Sequence, residues 1–257
     1  MKTLVKIALS AALIASLSNA GEQFAMSDAD RAMYAEMLES NPADMNIAHG
    51  GELLEKNCGG SAGLAKFLHV SQKDLPNYIA GFPRYLKDFN MVVGIDQVLQ
   101  AAMHENGKKP FTLQSKDMFE MSAYVKSLAN DVPINIDINA NQQMKDAYAL
   151  GEKTFNTNRG KRGLSCLSCH STDVIGSVLR TQPLPALGAN GNASVGTWPA
   201  YRMTKSSMST LQHRMQGCMQ NALLEVIPLG SPEMVGMEVY LGHQAKGAKM
   251  AIPGLKR

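Results

Sequence analysis

Cys166-Leu167-Ser168-Cys169-His170 is the stretch that indicates the fold class of this chain. Two cysteines two residues apart, followed at once by histidine, form the pattern to which c-type haem is attached covalently. Each thiol adds across one haem vinyl group, and the histidine can then bind the iron from the proximal side. A zinc half-site would need a second Cys/His pair, which the sequence lacks, and a redox CxxC would lie in a βαβ context. We therefore predict one haem c, attached to Cys166 and Cys169, with His170 as the proximal iron ligand.

The first twenty residues predict export. Lys2 and Lys6 give a short basic start, residues 7–17 are apolar, and small residues precede Ala20. This pattern is typical of a secretory signal peptide, residues 1–20, with cleavage after Ala20. The apolar run is too short to span a bilayer, so we expect no membrane span. We expect the protein in the periplasm, where haem is attached to CxxCH and disulfides can persist.

Length and charge restrict the remaining possibilities. The formal net charge of the 257 residues is +3, and this includes the two lysines of the predicted signal. The exported chain is then close to neutral, and nothing in it suggests nucleic-acid binding. Its length suits two domains of about 100 residues each. The 17 methionines are first of all core residues, because methionine fills irregular gaps.

An internal repeat relates the two halves of the chain at a constant offset of 116 residues, from Arg84 to Ala200. Phe82-Pro83-Arg84-Tyr85 matches Trp198-Pro199-Ala200-Tyr201. Ser115 matches Ser231, and each precedes an acidic residue and a helical spacing of apolar residues, which predicts a capped helix. We predict a mainly α protein made of two cytochrome c-like domains in tandem, residues 21–129 and 143–257.

The first copy lacks the residues that hold haem. Cys58-Gly59-Gly60-Ser61-Ala62 stands where the second copy has its CxxCH, so the second cysteine and the histidine are missing. We therefore expect residues 21–129 to be haem-free and to serve as a structural or docking domain. His49, His69 and His104 are interpreted as ordinary polar or surface histidines.

Two connecting stretches carry weaker signals. Residues 130–142 are predicted to be an extended linker, since Val132 to Asn139 alternates apolar and polar residues. One short strand is the alternative, and it is the main β structure we expect. Arg159-Gly160-Lys161-Arg162-Gly163 is a basic loop before the haem motif. It is either a solvated loop or a docking surface for an anion or an acidic partner.

Cys218 is the candidate for the chemistry on the other side of the haem. It lies opposite Ala102 in the repeat, and Arg214 precedes it by four residues, on the same face of a helix. A guanidinium stabilises a thiolate, which is both a nucleophile and a metal ligand. Arg214 could also hold an anionic substrate, and Gly217 permits close approach of haem or substrate.

Other interpretations of this helix stay open. Cys218 could be a small buried residue, or it could form a disulfide with Cys58, the only other cysteine outside the haem motif. His213, Met215 and Met219 are alternative distal ligands of the iron. The counterparts of the two methionines in the first copy are apolar, which favours core positions for both.

On these residues the chain resembles SoxA, the larger subunit of the SoxAX cytochromes of sulfur-oxidising bacteria, known as L-cysteine S-thiosulfotransferase. The resemblance covers essentially the whole exported chain. Its specific parts are Cys166 to His170, Trp198-Pro199-Ala200-Tyr201-Arg202, Arg214-Met215-Gln216-Gly217-Cys218, Met237-Glu238-Val239-Tyr240-Leu241 and Pro253-Gly254-Leu255-Lys256-Arg257.

The resemblance implies a reaction and its partners. Thiosulfate would be joined oxidatively to a cysteine of a SoxYZ-like carrier protein, and two electrons would leave through haem. A small SoxX-like cytochrome c would be the partner subunit and would supply a further haem. His170 would be the proximal ligand and Cys218 the distal sulfur ligand, often a persulfide in the family. Arg214 would steer the anionic substrate and lower the pKa of the thiol.

The sequence departs from one form of the family. Two-haem members carry CxxCH and a ligand cysteine in the first domain, where this chain has Ala62 and Ala102. Single-haem members often close the emptied site with a disulfide, but Cys58 is the only cysteine in this domain. A free thiol and a bond to a partner chain are both open for Cys58.

A thiolate on iron favours the ferric state and a low haem potential, which makes the haem a poor electron sink for thiol oxidation. We therefore expect Cys218 to act as a sulfur nucleophile that leaves the iron during turnover. One alternative is a plain electron-transfer cytochrome c with His/Met or His/His ligation. Another is a non-catalytic SoxA paralogue that binds a sulfur compound or a partner.

Overall fold

A computed structural model describes residues 28–174, 178–179, 182–188 and 193–256. The predicted signal peptide, residues 1–20, lies outside the described residues. The described part is mostly helical, as predicted, and none of its helices is long and apolar enough to cross a bilayer. The helices are α1 (Asp28–Glu39), α2 (Asp44–Cys58), α3 (Gly60–Phe67), α4 (Leu75–Ile79), α5 (Ile95–Glu105), α6 (Lys116–Ser127), α7 (Gln142–Asn156), α8 (Leu167–His170), α9 (Leu211–Ala222) and α10 (Pro232–Gln244).

The β structure is more extensive than the sequence suggested. It consists of short strands in three small sheets, and the segment from Val132 to Asn139 contributes no strand to them. β1 pairs with β2 and β3 with β4, both antiparallel, while β5 pairs antiparallel with β6 and parallel with β7. The strands are β1 (Arg84–Leu86), β2 (Met91–Val93), β3 (Val178–Leu179), β4 (Gln182–Pro183), β5 (Ala200–Arg202), β6 (Ser207–Ser209) and β7 (Gly254–Lys256).

The sequence repeat is also a structural repeat. β1, β2, α5 and α6 recur as β5, β6, α9 and α10 at the same offset in the chain. A cis X-Pro peptide precedes the first strand of each copy, at Phe82-Pro83 and Trp198-Pro199. Asn90 and Ser206 take the left-handed conformation at equivalent places between the strands, with φ of 50° and 47°. The two copies therefore share their turns as well as their helices.

The predicted helix caps are present in both copies. The Ser115 hydroxyl accepts a hydrogen bond from the backbone N–H of Met118, and the Ser231 hydroxyl accepts one from Met234, each at 3.2 Å. Pro232 occupies the first turn of α10, where a missing N–H costs nothing. These caps fix where α6 and α10 begin.

Two helix pairs cross at glycine in equivalent ways. Helix α2 meets α6 at Gly50, which touches the carbonyl of Glu120. Helix α7 meets α10 at Gly151, which touches the carbonyl of Gly236. A Cβ atom at either glycine would overlap the facing backbone. Glycine thus sets how closely each pair of helices approaches.

The two halves share one core. The largest hydrophobic cluster combines buried residues of the first half, such as Leu54 and Leu99, with Met208 and Val239 of the second. The connection between the halves is part of this core, because Ile134 and Ile136 within it are buried.

The segment predicted to be an extended linker is held by backbone hydrogen bonds to the chain near Ala248. The N–H of Ile134 donates to the carbonyl of Ala248, and the N–H of Gly247 donates to the carbonyl of Ile134, both at 2.9 Å. Pairing is limited to an isolated bridge between Pro133 and Lys249. The alternating pattern therefore reflects an extended segment buried on one side, rather than a strand of a sheet.

Candidate functional site

A cavity of about 260 Å³ lies between the haem motif and helix α9. Its described lining is largely apolar, with three arginines and no carboxylate. The residues with reactive or charged side chains are Arg162, Cys166, Cys169, His170, Arg202, Arg214 and Cys218. Four of the five site residues predicted from the haem motif and helix α9 carry sulfur or imidazole, and the structure brings all five to this one cavity.

The haem motif forms a single helical turn at the edge of the cavity. The N–H of His170 donates to the carbonyl of Cys166 at 3.0 Å, which closes the turn. Ser165 and Ser168 support it, because each backbone N–H donates to the hydroxyl of the other, at 3.0 and 3.2 Å. The turn places both cysteines of the motif on the cavity wall.

His170 is oriented for metal binding through one ring nitrogen. Its Nδ1 lies 2.8 Å from the carbonyl oxygen of Pro185, and a carbonyl can only accept, so Nδ1 carries the proton. The lone pair of the neutral ring is then on Nε2. Burial lowers the pKa of His170 and the charge of Arg214 lowers it further, while the hydrogen bond to Pro185 acts in the opposite direction. The net lowering favours the neutral imidazole that a metal requires.

The basic loop before the motif is attached to the end of helix α9. The N–H of Lys161 donates to the carbonyl of Leu223 at 3.2 Å. Gly160, at φ 72°, packs against the backbone of the same turn, where a Cβ would not fit. Arg159 places Nη2 3.7 Å from Sγ of Cys166. The loop therefore connects the two walls of the cavity, and its Lys161 and Arg162 side chains remain exposed.

Helix α9 supplies Arg214 and Cys218, which lie one turn apart and both line the cavity. Thr210 caps the helix by accepting a hydrogen bond from the N–H of His213 at 3.3 Å. Gln216 anchors the other side of the helix, because its amide donates to the carbonyl of Ile227 at 2.8 Å. The helix is thus fixed while its Arg214/Cys218 face is directed to the cavity.

Arg202, on β5, is a site residue whose role no sequence motif indicated. It lines the cavity, and its pKa is lowered to about 10 by burial and by the charge of Arg214, while Cys218 acts in the opposite direction. The signal was present in the repeat: Leu86 stands at the equivalent position of the first copy. The same comparison singled out Cys218 against Ala102.

Of the alternative distal ligands, His213 lies away from the cavity, whereas Met215 and Met219 both line it. His213 stacks on Phe119 with ring centroids 4.8 Å apart and does not line the cavity. Met219 is buried, and its sulfur accepts a hydrogen bond from the N–H of Ile227 at 3.5 Å. Met215 packs in three of the apolar clusters and also lines the cavity.

All four cysteines lie in the described part of the chain, and all are free thiols. The alternative of a disulfide between Cys58 and Cys218 is therefore not formed. Cys58 is 1% exposed in the core of the first half, and burial raises its pKa to about 11. It is an inert core thiol, out of reach of a partner chain.

The donor set fits a covalently attached haem. Two thiols on one turn, a neutral imidazole with its free nitrogen on Nε2, and a largely apolar cavity are the groups that c-type haem attachment uses. Together with the mostly helical fold, they define a cytochrome c-like protein.

Comparisons with known proteins show which cytochrome c-like proteins this chain resembles. Residues 64–134 match the family model for the cytochrome c domain of SoxA and TsdA. The SoxA subunit of L-cysteine S-thiosulfotransferase from Hydrogenophilus thermoluteolus is 29% identical over 240 residues, 86% of this chain and 85% of the relative. The SoxA subunit from Pseudaminobacter salicylatoxidans is 24% identical over 221 residues, 85% of this chain and 74% of the relative. The resemblance to SoxA is confirmed.

The crystal structure of SoxXA from P. pantotrophus has the same fold. It superimposes with a TM-score of 0.73 at 19% identity, over 88% of this chain and 83% of that chain. The family model matches the half that lacks CxxCH, so the resemblance extends beyond the haem motif.

Proposed function

We propose that this protein is the catalytic subunit of a SoxAX-like complex, an L-cysteine S-thiosulfotransferase that joins thiosulfate to a cysteine of a SoxYZ-like carrier. One observation carries the proposal: Arg214 and Cys218 line the same cavity as the haem motif, whereas Val98 and Ala102 occupy the equivalent places of the first copy. The names of the SoxA relatives support this activity over simple electron transfer.

Cys166 and Cys169 would hold one haem c covalently, with His170 as the proximal and Cys218 as the distal ligand. The haem would supply an electron acceptor for the oxidation, and a small SoxX-like cytochrome c would supply a further haem. The chain's own residues bind and orient the anion, hold the reactive sulfur, and exclude water with the apolar lining of the cavity.

The chemistry of the protein residues can be written with atoms and electrons balanced. Arg214 holds thiosulfate beside the thiolate of Cys218. A sulfur–sulfur bond forms between Cys218 and the outer sulfur of thiosulfate, and the two electrons released would leave one at a time through the haem. The carrier thiol then loses its proton and attacks that same sulfur, which breaks the bond to Cys218 and releases its thiolate. The net products are the carrier S-thiosulfonate, one proton and two electrons.

We further propose the tandem organisation, with a haem-free domain at 21–129, a linker at 130–142 and a haem domain at 143–257. Support comes from the first copy, where Cys58 and Ala102 are buried in the apolar cluster. The sequence of residues 1–20 supports export to the periplasm.

Low-temperature EPR of the purified ferric protein is the first test. We expect a low-spin signal typical of His/thiolate ligation. A His/Met or His/His signal would leave Cys218 off the iron and favour the alternative of an electron-transfer cytochrome.

Activity with thiosulfate, the carrier and an electron acceptor is the second test. We expect Cys218→Ser to lower the conjugation rate on the order of a thousandfold or more. Met215→Leu, on the same helix and in the same cavity, is the matched control and should retain most of the activity. Full activity of Cys218→Ser would contradict the mechanism. Intact ligation with no turnover in the wild type would indicate a non-catalytic paralogue.

A further inference from the structure

Arg202 brings a second guanidinium to the sulfur site. It lies on β5 and lines the cavity together with Arg214 and Cys218 of helix α9. Burial is the largest cause of the lowered pKa of Arg202; the charge of Arg214 lowers it further, while Cys218 raises it. Two different elements of the fold therefore contribute a guanidinium to the cavity that contains Cys218.

Neither guanidinium is paired with a carboxylate in the part of the chain that the structure describes, residues 28–174, 178–179, 182–188 and 193–256. The described lining of the cavity contains no Asp or Glu. Two half-buried like charges repel each other, and an anion between them would relieve that repulsion.

The geometry of a guanidinium suits an oxyanion. Its planar fork of N–H donors can pair with two oxygens of a sulfonate, and hydrogen bonds between ions are stronger than neutral ones. One guanidinium is enough to balance a single negative charge. Two converging guanidiniums match an anion that carries two charges and several oxygens.

We propose that Arg202 is a second anion-binding residue, and that with Arg214 it makes the cavity selective for dianions bearing a sulfonate group. This inference rests on the proposed function, because it names the class of substrate for the same site. Arg214 lies one helical turn from the reacting sulfur, while Arg202 holds the sulfonate from the strand side. Singly charged anions gain less binding affinity from the two arginines.

The test is equilibrium binding to the ferric holoprotein without carrier, measured by isothermal titration calorimetry. The probes are thiosulfate, a dianion, and methanesulfonate, a monoanion with the same kind of head group. We expect Arg202→Gln to weaken thiosulfate binding about tenfold to a hundredfold and methanesulfonate binding much less. Arg202→Lys should recover part of the loss, since it restores the charge without the fork.

Lys205→Gln is the matched control, because it removes one positive charge three residues away at an exposed position. It should bind thiosulfate as the wild type does. One haem per chain and an unchanged EPR signal must accompany each variant, so that a misfolded protein is recognised.

The outcomes separate this inference from the proposed function. Wild-type thiosulfate affinity in Arg202→Gln would overturn the inference, and so would equal losses for both probes, even if the carrier reaction proceeds normally. A selective loss of thiosulfate binding would support the inference even if no conjugation with the carrier is observed. In that case only the proposed function would fail.

Discussion

The side-chain amide of Gln212 donates a 2.8 Å hydrogen bond to the buried carboxylate of Glu238, joining helices α9 and α10. In the first copy, Ser122 donates to Asp96 at the equivalent positions, with the acid on the other helix. Burial is the main cause of the raised pKa of Glu238; the charge of Asp96 raises it further, while Lys126 and the hydrogen bond from Gln212 lower it. The repeat has therefore placed two acids from different halves in one buried polar cluster.

Glu238→Gln should be more stable than the wild type at neutral pH, by about 1 kcal/mol. The pKa of Glu238 is higher in the folded protein than in the unfolded chain, so the folded state keeps its proton longer. The free energy of unfolding of the wild type then decreases as the pH rises above the ordinary pKa of a glutamate. Urea unfolding at pH 5 and pH 8 should show a smaller decrease in this free energy for the variant.

The matched control is Glu233→Gln, an exposed acid in the first turn of the same helix. It should leave the pH dependence of unfolding as in the wild type. If Glu238→Gln unfolds with the same pH dependence as well, the carboxylate is ionised without cost and our interpretation of its burial is wrong.

Gly151→Ala should destabilise the protein by about 1–3 kcal/mol, because the added methyl group overlaps the backbone of Gly236 where α7 crosses α10. Helix propensity alone would predict a gain in stability, since alanine is a better helix former than glycine. Chemical denaturation measures the change. Ala149→Gly, at an exposed position of α7, gives the effect of helix propensity alone. A Gly151→Ala variant as stable as the wild type would mean that the helices can separate at little cost.

Lys256 predicts a second pH effect, of opposite sign. It is 1% exposed, and its pKa is lowered to about 7 by burial, with a further contribution from Arg202 opposite it in β5. Between this value and the ordinary pKa of a lysine, the unfolded state binds the extra proton, so stability rises with pH. Lys256 can change the free energy of unfolding by at most about 1.4 kcal/mol per pH unit.

Lys256→Met should therefore show a smaller rise in unfolding free energy from pH 7 to pH 9.5. Lys246→Met, which removes an exposed lysine, should keep the slope of the wild type. An unchanged slope in Lys256→Met would show that the ammonium stays protonated across this range.

Cys58 should resist alkylation in the folded protein, because burial raises its pKa to about 11 and leaves 1% of the residue exposed. Holoprotein with Cys218→Ser offers a clean measurement, since haem occupies the two motif thiols. Mass spectrometry after iodoacetamide should find no adduct in buffer and one adduct in denaturant. An adduct in buffer would reveal an accessible thiol available for a partner chain.

Local sequence signals predicted much of the helical structure and the site. The caps at Ser115 and Ser231 are visible because serine followed by an acid and spaced apolar residues satisfies a helix end locally. The cavity could be anticipated because the haem motif and the Arg214/Cys218 pair are each compact in sequence. Comparison of the two copies identified Cys218 as a residue present only where haem is predicted.

Features formed by distant parts of the chain were missed. β5 and β7 are three residues long and pair across more than fifty residues of sequence, so neither has a recognisable alternation of its own. Arg202 differs from its counterpart Leu86 in the repeat, but its position at the cavity depends on this sheet and could not be read from that difference alone. Ile134 and Ile136 suggested a strand because one-sided burial produces the same alternation as a sheet.

The buried connection between the halves limits how this protein can be engineered. Ile134 is hydrogen-bonded on both sides of its peptide to the chain at Gly247 and Ala248, and Ile136 presses against Gly242 of helix α10. A flexible insertion or a protease site near Ile134 and Ile136 would disrupt the packing of this segment in the shared core. The half with the CxxCH motif should therefore be produced with its companion half attached, and exchanging halves between relatives would require their contact surfaces to be exchanged together.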